Sequence, residues 1–113
     1  MPKYALLFID AEMPEGQRPS AEDMKVYQDI GKWFETNGSR IESGKELQGG
    51  HTAKTVRLQT GTPIVTDGPF IESKEVIGGF AVVDANDLDD AVALAKTWPA
   101  RATVEVRPCV EDH

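Results

Sequence analysis

Residues 63–83 read PIVTDGPFIESKEVIGGFAVV, and how this stretch divides decides the fold. Pro63 to Thr66 is a short strand, and Asp67-Gly68-Pro69 is strong turn chemistry, because Asp accepts backbone N–H bonds just ahead of it and Gly accepts a left-handed conformation. A run of alternating charge follows, and Val76 to Val83 then forms the strongest strand of the sequence. Gly78-Gly79 inside that strand marks a bulge or a close backbone approach. Upstream, Lys54-Thr55-Val56-Arg57-Leu58 alternates, and Thr60-Gly61 separates it from Pro63. The middle of the chain is therefore a β-hairpin that feeds a long central strand.

The flanking segments complete a pattern. Tyr4 to Ile9 is an uninterrupted apolar run of strand length, fitting a central strand covered on both faces or lying at a dimer contact. Asp10 to Pro19, with two prolines and no periodicity, is a loop. Ser20-Ala21-Glu22-Asp23 is a capping box that opens a helix with Val26, Tyr27, Ile30, Trp33 and Phe34 on its apolar stripe and Asn37-Gly38 as its stop. Arg40 to Leu47 is a weaker strand interrupted by Gly44, ending in the Gly49-Gly50-His51 corner. Asn86-Asp87-Leu88-Asp89 opens a second helix, with Leu88, Ala91, Val92, Ala95 and Trp98 on one face before Pro99, and Thr103 to Arg107 alternates as a last strand.

Strand, helix, strand, hairpin, strand, helix, strand amounts to two strand-helix-strand halves with a hairpin between them. This is an α+β, ferredoxin-like split βαβ plan in a single domain over 1–113. With both helices on one face of the sheet, an apolar first strand calls for a second subunit on the other, so a homodimer is expected.

Composition narrows the partners. Twelve Lys and Arg against nineteen Asp and Glu give a formal charge of −7, and the scattered bases argue against nucleic acid. No apolar run approaches the ~20 residues of a membrane helix and no export signal stands at the N-terminus, so a cytoplasmic protein without membrane contact is expected. Cys109 is the only cysteine, which excludes an internal disulfide and any CxxC site, and it reads as a small buried hydrophobe. No His/Cys cluster, Walker loop or dinucleotide fingerprint is present. The acids Asp84, Asp87, Asp89 and Asp90 are explained by helix capping and dipole, so any chemistry is expected to be cofactor-free.

The run Thr66-Asp67-Gly68-Pro69-Phe70, continued by Glu72, Lys74-Glu75 and Gly78-Gly79-Phe80, resembles the DGPF family, a branch of the YciI-related (YCII) proteins. The likeness extends from the Met1 to Leu7 opening through Asp87 to Ala91 to the Val104 to Pro108 ending. It implies a dimeric α/β barrel of ferredoxin-like subunits. It also implies a histidine and an aspartate sharing a cleft, with Asp67 matching the aspartate by position, and an association with extracytoplasmic-function sigma factors.

Asp67 has two readings, a turn residue or an acid pointing into a cleft as general base or hydrogen-bond acceptor. His51 is either a surface residue or, as a histidine that titrates near neutrality, a proton shuttle paired with Asp67. Phe70 is a core plug or a pocket wall. Glu72, Lys74 and Glu75 are solvated charges, or else Lys74 is a counter-charge to an anionic substrate and Glu72 a support for the loop. Gly78 lets a ligand approach backbone, and Tyr4 or Tyr27 can add a hydroxyl. Two functions follow: a homodimer binding a small polar or anionic metabolite, with acid/base chemistry by Asp67 and His51, or a non-catalytic sensing or protein-interaction module linked to sigma-factor regulation.

Overall fold

The computed structural model describes residues 1–11, 16, 18–59, 61–69 and 75–111. Strand β1 (Lys3–Ala11) lies between β5 (Glu75–Asp84) and β6 (Thr103–Pro108), and β2 (Ile41–Glu46) pairs with the outer edge of β5. The order β2-β5-β1-β6 is antiparallel throughout, an arrangement compatible with a ferredoxin-like fold. Strands β3 (Lys54–Arg57) and β4 (Ile64–Asp67) form a separate two-stranded sheet. Helix α1 (Ala21–Thr36) joins β1 to β2, and α2 (Leu88–Ala95) joins β5 to β6.

The capping box forms as read: the Asp23 N–H donates to Ser20 Oγ at 3.1 Å and the Ser20 N–H to Asp23 Oδ2 at 2.8 Å. Asp87 caps α2 by accepting from the Asp90 N–H at 2.8 Å. Most strand ends shift by one residue from the sequence reading, and two boundaries differ by more. Strand β1 runs on to Ala11, because pairing with β5 carries it past its apolar run. Helix α2 ends at Ala95, four residues before Pro99, so its inner face is Ala91, Leu94 and Ala95, while Leu88 is exposed.

One core holds the layers together. Tyr4, Leu6 and Phe8 of β1 and Ala81 and Val83 of β5 are buried with Trp33 of α1 and with Ala91, Leu94 and Ala95 of α2. Strand alternation then turns Ala5, Leu7 and Ile9, with Phe80 and Val82, to the opposite face, away from both helices. Both options read for Gly78-Gly79 are realised on one strand. Phe8 pairs with Gly79 and Ile9 with Ile77, so Gly78 is the extra residue of a bulge, and a Cβ on Gly79 would meet the Lys45 carbonyl oxygen at 3.0 Å, a close backbone approach. Cys109 is half-buried, and its N–H donates to the Lys3 carbonyl. No helix among the described residues is long and apolar enough to cross a membrane.

Candidate functional site

A cavity of about 600 Å³ opens between α1, the ends of β1 and β2, the start of β5 and the segment after α2. Phe8, Phe34 and Trp98 form its aromatic floor, and the bulged Gly78 and Gly79 form part of its wall. The floor is rigid by construction. The Phe8 and Trp98 rings stack with centroids 3.7 Å apart, and Trp33 and Phe34 each meet Trp98 edge-on. Trp33 is anchored in turn, since its Nε1–H donates to Thr97 Oγ1 at 2.8 Å and that hydroxyl donates to the Leu94 carbonyl.

The rim is polar. Asp10 arrives from the end of β1, Asp23 and Tyr27 from the first turns of α1, Glu46 and Gln48 from the end of β2, and His51 from a 3₁₀ turn spanning Gly50–Thr52. That turn is closed by N–H groups of Thr52 and Ala53 donating to Gly49 and Gly50, each at 3.0 Å. The imidazole of His51 lies so close to Gly49 that a Cβ there would meet it at 2.9 Å. It makes no hydrogen bond or ion pair with any described residue and is open to solvent at the cavity mouth. Among the described residues no group of three or more His, Cys, Asp or Glu side chains is placed to hold a metal ion.

The residues singled out in the sequence fall in different places. His51 and Gly78 line the cavity. Asp67 ends β4, pairs with Lys54 across the hairpin, has a side chain 84% exposed and is not among the cavity-lining residues. Gly68 has φ +89°, the left-handed value of the turn reading. Its N–H donates to the Ala53 carbonyl at 2.8 Å, and its own carbonyl accepts from the Thr55 hydroxyl at 2.7 Å. The Asp-Gly corner is thus tied to a segment two residues beyond His51, yet no contact joins His51 to Asp67. Phe70, Glu72 and Lys74 lie outside the described residues. Of the two tyrosines, Tyr27 lines the cavity and Tyr4 is in the core.

Sequence reading did not pick out Asp10, Asp23, Glu46 or Trp98 as site residues. For Asp10 a signal existed: alternation beyond Phe8 puts it on the helix-bearing face. The others needed the tertiary arrangement.

The shifted ionisations lie elsewhere and serve the fold. Asp90 sits below the ordinary carboxylate range because the Asn86 N–H donates to it and the Arg40 guanidinium pairs with it at 2.9 Å. The Lys3–Asp84 hydrogen bond lowers the Asp84 carboxyl and raises the Lys3 ammonium, joining β1 to the end of β5.

Comparison with known proteins bears on what shares this arrangement. The chain is 32% identical over 114 residues to an uncharacterized protein of Rhizobium meliloti (strain 1021), covering 93% of this chain and 90% of that one. The family model for the YCII-related domain matches residues 17–111, from the approach to α1 past the end of β6. On that match, which takes in both helices, the inserted hairpin and most of the cavity wall, the chain belongs to the YCII-related family.

Proposed function

We propose that this protein binds a small polar or anionic metabolite in the cavity between α1 and the end of the sheet, and that any reaction there is cofactor-free proton transfer. The observation that carries the reading is the cavity itself. An aromatic floor with convergent polar groups on the rim is the usual make-up of a small-molecule site. His51 carries the proton in this reading, since histidine is the side chain suited to that task near neutrality and its ring nitrogens make no hydrogen bond among the described residues. Tyr27 offers a hydroxyl and Gly78 backbone at the wall. Asp67 works from the base of the hairpin, whose corner is bonded to the segment following His51. The binding roles of Phe70, Glu72 and Lys74, and membership of the DGPF branch, rest on the sequence.

The proposal includes a homodimer closed as an α/β barrel through the open sheet face. A chain of 12.4 kDa exposing 8444 Å² compares with roughly 6,100 Å² for a folded monomer of that mass. The radius of gyration of 15.9 Å likewise exceeds the ~13 Å of a compact chain this long. Apolar Ala5, Leu7, Ile9, Phe80 and Val82 supply the surface a second copy would cover. Exposed Val56, Leu58, Ile64 and Val65 on the hairpin favour a second reading, a non-catalytic module meeting a protein partner, such as one in sigma-factor regulation.

Thermal unfolding of wild type, His51→Ala and Asp67→Ala against a panel of small metabolites separates the two. A ligand of the folded state raises the midpoint by mass action. The site reading expects a compound that stabilises wild type, an effect lost in His51→Ala while that variant's unliganded midpoint holds. A panel in which no compound stabilises wild type overturns it in favour of the interaction module.

A further inference from the structure

Among the described residues the charge around the cavity is one-sided: Asp10, Asp23 and Glu46 bring three carboxylates to it, and Lys45 is the only described lysine or arginine in its lining. Strand register removes even that charge from the interior. Gly44 stands against the Phe34 ring on the helix-bearing face, so the next residue, Lys45, paired with Phe80, directs its side chain to the opposite face, and Glu46, paired with Gly79, returns to the cavity side. None of the three carboxylates forms an ion pair with a described residue. Among the described residues Asp10 accepts only from the neighbouring Ala11 N–H at 2.7 Å, and Asp23 accepts the capping bond from Ser20.

Beneath these acids lie the Phe8–Trp98 stack, Phe34 and Tyr27. Aromatic faces carry negative quadrupole potential that attracts a cation, and a cleft with low-dielectric walls concentrates the field of its rim charges. Floor and rim therefore favour the same kind of ligand: an apolar ring or chain to lie on the floor, and an amine to meet the carboxylates.

We infer that the cavity is selective for amphipathic cations, small primary or secondary amines on an aromatic or aliphatic body, and discriminates against carboxylates of the same size. This rests on the small-molecule reading above, replaces its broad ligand class with a charge and a shape, and decides against the anionic ligand that Lys74 would balance. Asp10 and Glu46 are the specificity-determining residues, and Trp98 is the ring on which the apolar part rests.

The test is a matched set of probes, 2-phenylethylamine, 2-phenylethanol and phenylacetate, titrated into the full-length protein by isothermal calorimetry and by tryptophan fluorescence. The amine is expected to bind at least about tenfold more tightly than the alcohol, a difference of about 1.4 kcal/mol, with phenylacetate weakest. Raising salt should erode that preference without changing alcohol binding. Asp10→Asn and Glu46→Gln should each weaken the amine severalfold and leave the alcohol unchanged, with circular dichroism verifying that both variants fold. If the alcohol or the carboxylate binds as tightly as the amine, the charge selectivity is wrong while the cavity reading stands. If none of the three binds at millimolar concentration, the inference and the cavity reading fall together.

Discussion

Replacing Gly44 and Gly31 in turn by alanine is one chemical change with opposite expected signs. At Gly44 in β2, an added Cβ would sit 2.9 Å from the Phe80 carbonyl oxygen, 3.0 Å from Cε1 of Phe34 and 3.4 Å from Ala81 Cα. Two of those neighbours are backbone of the central strand β5 and cannot rotate away. The strand pair must open or the Phe34 ring must shift, an overpacking cost of about 1–3 kcal/mol. At Gly31, exposed on α1, nothing lies within 4 Å, so alanine only gains helix propensity, about 0.8–1 kcal/mol. An unfolding entropy near 2.1 cal/mol/K per residue gives roughly 0.24 kcal/mol/K for this chain, so each kcal/mol moves the midpoint by about 4 °C. Gly44→Ala should thus lower Tm by about 4–12 °C and Gly31→Ala raise it by about 3–4 °C, measured by circular dichroism at one fixed protein concentration. A Gly44→Ala protein as stable as wild type would show that β2 does not pack against Phe34 and β5 as described.

Three further outcomes follow from the same geometry. The Asp90 carboxyl is depressed in the folded state, so its contribution is present above the ordinary carboxylate range and is lost as pH falls through the lower folded value. Urea titrations should therefore find Asp90→Asn less stable than wild type at pH 7, with the gap closing below about pH 4; a gap independent of pH contradicts the assignment. Trp33→Phe removes the indole donor to Thr97 and should cost about 1 kcal/mol for that bond, read as a lower denaturant midpoint with an unchanged slope. Leu7→Glu places a charge on the open sheet face, and sedimentation should find its mass reduced from twice 12.4 kDa to 12.4 kDa; a wild type already monomeric at micromolar concentration refutes the dimer.

Most of the architecture was legible because local rules agreed with one another. The capping box at Ser20, the alternating arms of the hairpin and the glycine pair in β5 each answer to a short-range cause and appear where the residues put them, while the cap of α2 falls on Asp87, one residue beyond Asn86. The end of α2 was not legible, since nothing in Lys96-Thr97-Trp98 stops a helix. There Trp98 leaves the helical path to stack on Phe8, a partner ninety residues away in the chain. The interruption at Gly44 read as weakness and proves to be a close approach, visible only once Phe34 and β5 stand beside it.

The site was legible in part for the same reason. Asp67 is prominent in the sequence because Asp-Gly-Pro is prominent turn chemistry, and the positive φ of Gly68 is that chemistry in place. His51 and Gly78 reach the cavity from segments whose proximity depends on the β2–β5 pairing. Glu46 and Trp98 are unremarkable in their own neighbourhoods and acquire a role only where the ends of β1 and β2 and the loop after α2 converge, whereas Asp10 follows from carrying the alternation of β1 past Phe8.

A ligand bound over the Trp98 floor beside His51 would touch residues that can be watched one by one. The most direct test is amide and indole chemical-shift mapping by NMR while a stabilising compound, or 2-phenylethylamine, is titrated into the labelled protein. Shifts are expected at the Trp98 indole and at the amides of His51, Gly78 and Gly79, with Val56 and Val65 of the hairpin unmoved. Shifts confined to the hairpin or to Ala5, Leu7 and Val82 on the open face, with the Trp98 indole unchanged, would contradict binding there.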